Sequence, residues 1–221
     1  MSLPELDEAL RYSGVPVADG AMRERMGRLL LKVRDRLQPR SVWRLFSLEH
    51  REEGILLKGP DVLLTGHSAR RMLSGCDAAA LMACTVGVAF DRLLLETQHR
   101  DMAEALLLDG LGSAWVEALC DDVQREIAAA LPGRFLTDRF SPGYGDLPLA
   151  LQPELLRAVN AQRRVGVTLT DSCLMNPVKS VTALVGLSDS PQPARLRGCA
   201  YCALSGSCAL RKRGVSCASE A

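Results

Sequence analysis

Arg100–Leu131 reads RDMAEALLLDGLGSAWVEALCDDVQREIAAAL, and its periodicity predicts one long helix. Leu108, Leu111, Trp115, Leu119, Val123 and Ile127 recur at steps of three and four, so a single face of the cylinder belongs to the core. A second line, Asp109, Ser113, Glu117 and Asp121, stacks at four-residue steps around the same cylinder. Acidic lines on helices are usually solvated faces. The other reading is that this line borders a ligand cleft and answers a positive group.

Working outward toward the N-terminus, Ala78–Thr85 is an uninterrupted run of small apolar residues, the pattern of a buried strand. Thr85-Val86-Gly87 then turns it into a helix running to about His99. Ser41–Leu48, Gly54–Leu57 and Val62–Leu64 read as strands, and His67–Leu73 as a short helix with Ser68 as its cap. Before them lie a helix over Pro4–Tyr12 and a second over Gly20–Leu37 capped by Asp19. Toward the C-terminus, Pro132-Gly133 ends the long helix, Phe135-Leu136 is a short apolar run, and Glu154–Arg163 is a helix closed by Gly166. Val167–Thr170 and Val178–Leu187 read as strands. Strands clustered with long helices, without regular strand-helix alternation, predict an α+β fold with a mixed or antiparallel sheet.

Between helix and strands sits Arg139–Pro148, RFSPGYGDLP. Pro142-Gly143 makes a tight turn, because proline fixes φ and glycine reaches positive φ without a Cβ penalty. Gly143 lets a flat ligand approach the main chain, Tyr144 offers an aromatic face with a polar tip, and Arg139 a positive fork. These parts suit a small molecule with a ring and a carboxylate. The plainer alternative is a loop whose tyrosine plugs a core.

With GVTLTDSCLMNPVKSVTALVGLSD downstream, this stretch resembles the S-adenosylmethionine-binding activation domain of cobalamin-dependent methionine synthase. The family pattern, Arg-x-x-Pro-Gly-Tyr, then a Thr-rich strand and a Met-x-Pro-x-x-Ser-Val strand, falls on Arg139, Pro142, Gly143 and Tyr144. It continues on Thr168 and Thr170, then on Met175, Pro177, Ser180 and Val181. The resemblance is best over residues 100–190 and looser from about residue 40. It implies that Arg139 meets the ligand carboxylate, that the backbone at Ser141 and Gly143 meets the adenine and amino end, and that Tyr144 packs between ligand and corrin. A family glutamate on the long helix aligns with Ser113, so Glu117 or Asp109 would substitute in answering the sulfonium or amino group. Two departures stand out: Pro148-Leu149-Ala150 replaces the family's Pro-Asp-His, and no tyrosine follows the last strand between Leu187 and Arg197.

Composition sets the outer bounds: 221 residues, 48% hydrophobic and 24% charged, with net charge +1, give a core-forming chain without a field for nucleic acid. No signal peptide or membrane span is legible, so the expectation is a cytoplasmic protein without nucleic-acid or membrane partners. The eight cysteines then read as thiols or metal ligands rather than a disulfide framework. Cys76, Cys84, Cys120 and Cys173 stand in apolar contexts and read as small buried residues. The other four, Cys199, Cys202, Cys208 and Cys217, follow a polar Pro-containing linker, Ser188–Gly198, and open with Cys-x-x-Cys. Such spacing converges thiolates on one metal centre; the first three resemble runs that hold a [4Fe–4S] cluster, with zinc and free thiols as rivals. The organisation expected is an N-terminal helical segment over 1–39, an activation domain over 40–190 and a Cys-rich metal-binding tail over 191–221.

The resemblance implies reductive reactivation of a corrinoid methyltransferase: S-adenosylmethionine methylates the cobalt of cobalamin carried by a separate corrinoid protein, with an electron supplied by flavodoxin or ferredoxin. The alternative is a non-catalytic S-adenosylmethionine sensor, or a metal-knuckle adaptor, docking on such a protein.

Overall fold

In the computed structural model, which describes residues 2–15 and 19–191, the strand with no exposed face organises the rest. β4 (Ala78–Thr85) is buried at every position. Its alternate residues feed two cores: Ala78, Ala80, Met82 and Cys84 face one, and Ala79, Leu81 and Ala83 the other. This is the period-two geometry of a strand covered on both sides. β4 pairs antiparallel with β1 (Arg40–His50) on one edge and with β8 (Ser180–Ser188) on the other. With β2 (Ile55–Leu57), β3 (Val62–Leu64) and β5 (Phe135–Leu136) they form a six-stranded sheet in the order β3-β2-β1-β4-β8-β5, antiparallel throughout. A separate hairpin joins β6 (Thr168–Leu169) to β7 (Met175–Asn176). The α+β expectation holds.

On the first face lie α1 (Leu6–Tyr12), α2 (Gly20–Val33), α4 (Val88–Gln98) and the long α5 (Met102–Ala130), all contributing to one core. The apolar stripe of α5 is buried as its period requires, with Trp115 and Leu111 fully enclosed. Asp101 caps its first turn, accepting from the Glu104 N–H at 3.0 Å, and Asp19 caps α2 through the Met22 N–H at 2.8 Å. Two glycines let neighbours approach α5. A Cβ on Gly110 would lie 2.6 Å from the Ala9 carbonyl oxygen of α1, and one on Gly112 would strike the Phe90 ring of α4.

The opposite face carries α3 (His67–Met72), α6 (Gln152–Ala158) and α7 (Ala161–Val165). Three sequence expectations change here and in α2. The helix over 154–163 is two helices, because Asn160 adopts the left-handed conformation at φ 56° and interrupts the ladder. The second N-terminal helix ends at Val33 and tightens into a 3₁₀ turn, Arg34–Arg36. Ser68 does not cap α3 through its own side chain: the carboxylate of Asp146 accepts from the His67 and Ser68 N–H groups at 2.6 and 2.8 Å. Cys173 is also partly exposed, unlike Cys76, Cys84 and Cys120. Among the described residues no helix is long and apolar enough to cross a membrane.

Candidate functional site

After α5 the chain runs back along β8. Beyond β5, Thr137 and Phe140 continue the pairing: the Thr137 N–H donates to the Gly186 carbonyl at 2.9 Å, and Phe140 exchanges two bonds with Leu184, at 3.0 and 2.8 Å. Phe140 is buried in the core on the α6 side. Its neighbour Arg139 therefore points the other way, toward α5. There its guanidinium meets three acceptors on one helix face. Glu117 Oε2 lies at 2.9 Å, Gln124 Oε1 at 3.1 Å, and Asp121 completes the set. Burial opposes the charge of Arg139, but the hydrogen bond to Asp121 and the surrounding negative charge raise its pKa above the ordinary guanidinium value. It stays a cation.

Between this strand, the side of α5 and the turn that follows lies an open cleft of about 700 Å³, floored by Val181 and Ala183 of β8. Glu117, Asp121, Arg139, Ser141 and Tyr144 line it. Tyr144 is 65% exposed, so its ring is available at the cleft wall and does not plug a core. The turn itself is closed by its own hydrogen bonds. The Gly143 N–H donates to the Leu147 carbonyl at 2.9 Å, and Ser141 accepts from the Tyr144 N–H at 3.1 Å. Gly143, at φ 89°, shapes the bend but stands outside the lining, with its amide already engaged.

The acidic line of α5 divides in two. Glu117 and Asp121 face the cleft, whereas Asp109, outside the lining, pairs at 2.9 Å with Lys179, which also donates to Ser113 Oγ at 2.9 Å. Lys179 precedes β8 on the same side as Val181 and is nearly buried, with 11% side-chain exposure. Neither the fully solvated reading nor the fully cleft-facing one describes the line. Sequence reasoning missed Gln124 as an Arg139 partner, although its seven-residue step from Glu117 puts it on the same helix face. Arg134, on the cleft rim, pairs with Asp77 and, at 3.3 Å, with Asp189.

Among the described residues no cluster of three or more His, Cys, Asp or Glu side chains is arranged to hold a metal ion. Cys199, Cys202, Cys208 and Cys217 lie outside the described residues.

Comparison with known proteins converges on one family. The model of the vitamin B12-dependent methionine synthase activation domain matches residues 68–192, more than half of the chain. No curated protein matches the sequence. Among solved structures, the MetH reactivation domain bound to AdoHcy superposes with a TM-score of 0.61 at 19% identity. The match covers 88% of this chain and 72% of that one, and at this identity it speaks to the shared fold. The stretch that forms the cleft wall, the sheet behind it and the extent of the family match all lead to one conclusion: the chain belongs to the vitamin B12-dependent methionine synthase activation domain family.

Proposed function

We propose that this protein binds S-adenosylmethionine in the cleft beside α5 and reactivates a separate corrinoid methyltransferase by methylating its cobalt. The observation that carries the reading is the cleft itself. It has about 700 Å³ of room, the size class of small-molecule sites, with an exposed aromatic ring, a guanidinium and two carboxylates converging on it. Arg139 takes the ligand carboxylate, Glu117 answers its positive end, the main chain at Ser141 offers polar contact to the adenine, and Tyr144 packs between ligand and corrin. Asp109 and Gly143 then act at one remove, the first by holding Lys179 and the second by shaping the bend.

The partner's cobalt is the methyl acceptor. A corrinoid stranded as Co(II) accepts one electron, and the resulting Co(I) supplies the electron pair of the new Co–C bond. The S–CH₃ bond breaks with its pair remaining on sulfur, leaving S-adenosylhomocysteine. No general acid or base is needed, so the chain contributes position and exclusion of water.

The electron's route is the second part of the proposal. Arg134 on the cleft rim is paired with Asp189, and the described chain continues to Pro191. Cys199 stands eight positions after Pro191, a reach of at most about 29 Å when extended. A [4Fe–4S] cluster on Cys199, Cys202, Cys208 and Cys217 would relay an electron from flavodoxin or ferredoxin to the partner's cobalt; zinc at the same cysteines would serve structure instead. Calorimetric titration with S-adenosylmethionine, on the native chain and on Arg139→Ala, tests the site. Methylation of a Co(II) corrinoid protein under reductant tests the activity, and binding without turnover would leave a sensor. Anaerobic reconstitution should give a broad absorption near ~400 nm that disappears in Cys199→Ala; a colourless protein with stoichiometric zinc would retire the relay.

A further inference from the structure

Where Arg139 meets α5 the cleft wall carries more negative than positive charge, and that surplus is built into the ion pairs. Arg139 is a single guanidinium facing two carboxylates, Glu117 and Asp121. Arg134 on the rim repeats the pattern, one guanidinium between Asp77 and Asp189. The remaining pairs nearby, Arg125 with Asp122 and Lys179 with Asp109, are balanced. The lining as a whole is balanced, Glu117, Asp121 and Asp138 against Arg125, Arg134 and Arg139, so the surplus is local and lies where Arg139 meets α5.

We infer that this surplus makes the cleft discriminate by ligand charge, holding the sulfonium methyl donor and releasing its demethylated thioether product. The inference rests on the S-adenosylmethionine reading proposed above and goes one step beyond it. The amino-acid end of the ligand is a zwitterion whose carboxylate and ammonium cancel. The sulfonium is the one charge left over. It matches the one carboxylate that Arg139 leaves uncompensated between Glu117 and Asp121. Once the methyl group has gone, the sulfur is neutral and that match is lost. Chemistry at sulfur thus changes the electrostatic fit without any movement of the chain, and a step that consumes the donor also loosens its remnant. Asp121 is a specificity-determining residue on this account, and its role is separable from that of Arg139, which reads the carboxylate common to donor and product.

The test is calorimetric titration of the full chain with S-adenosylmethionine and with S-adenosylhomocysteine. At low ionic strength the donor should bind about tenfold more tightly, from one added attraction at near-surface dielectric. That ratio should fall severalfold near ~0.3 M salt, where exposed charges are screened, and also in Asp121→Asn. An analogue carrying a protonated amine in place of the sulfonium should behave as the donor. Asp121 is 56% exposed on its side chain, so the isosteric change leaves packing in place; the salt series on the native chain decides the question by itself if the variant does not fold. Equal affinities for donor and product at low salt would overturn the inference while leaving the site assignment standing. Failure of both ligands to bind would overturn the site assignment together with it.

Discussion

The two sides of α5 are built to opposite specifications. Toward α1 and α4 the helix carries Gly110 and Gly112, and its neighbours come so close that one added methyl would collide with backbone or ring. Toward β8 and the Arg139 strand it carries Glu117, Asp121 and Gln124 beside about 700 Å³ of open space. One side admits no further atom; the other leaves room for a ligand. Fixing the first is what makes the second useful, since a binding wall on a helix is only as well placed as that helix.

The contrast breaks most directly at Gly110. Alanine there gains about 1 kcal/mol of helix propensity, but its Cβ would sit 2.6 Å from the Ala9 carbonyl oxygen, an atom that no rotamer change removes. Overpacking of this kind costs roughly 1–3 kcal/mol and more where backbone must shift. Gly110→Ala is therefore expected to lower stability by about 2 kcal/mol, measured by chemical denaturation; an unchanged midpoint would mean the two sides of α5 are equally tolerant. On the cleft side the largest effect falls at Arg139. Arg139→Ala should weaken S-adenosylmethionine binding at least ~30-fold, as expected when one member of a charge-paired contact is removed, while the half-exposed Asp121 limits the loss of stability. A ligand affinity indifferent to Arg139 would reassign the wall.

Tyr144 sharpens the comparison, because exposure and function point in different directions there. At 65% exposure its removal should change stability by no more than about 0.5 kcal/mol. Tyr144→Ala should nevertheless slow cobalt methylation about tenfold, the scale of one lost aromatic contact, measured with a corrinoid partner under reductant. The smallest effect concerns pH. Hydrogen bonds from Ser68, through its side chain and N–H, and from the His67 N–H lower the Asp146 carboxyl to a pKa of about 2. A depressed carboxyl contributes stability above its unfolded pKa of about 3.9 and loses that contribution as pH falls toward about 2. Native protein should thus lose stability between those limits by more than Asp146→Asn does; identical acid profiles would remove the contact from the account.

What the sequence made legible was whatever depends on near neighbours. Ala78–Thr85 declared a strand buried on both faces, and the Leu108–Ile127 period declared α5, because each signal lies within one element. The left-handed Asn160 that splits α6 from α7 escaped the helical period, since asparagine pays little to leave the helix and nothing in its spacing marks it. The cap of α3 was assigned to Ser68 because it is adjacent, whereas the group that performs it, Asp146, lies 78 residues away. The candidate site shows the same divide. Arg139, Ser141 and Tyr144 were readable as a motif, and Glu117 as part of an acidic line. That the line would be shared between Arg139 and Lys179 depends on strand pairing across the sheet, which no local pattern encodes.

The bond between Asp146 and the first turn of α3 carries a practical consequence. Two main-chain protons, on His67 and Ser68, are held by a carboxylate that belongs to the cleft-forming turn. Their rates of isotope exchange with solvent therefore report whether that turn is seated, from a position on the opposite layer of the sheet that no cleft ligand covers. A spectroscopist following those two resonances would watch the pocket assemble without labelling anything that touches its contents.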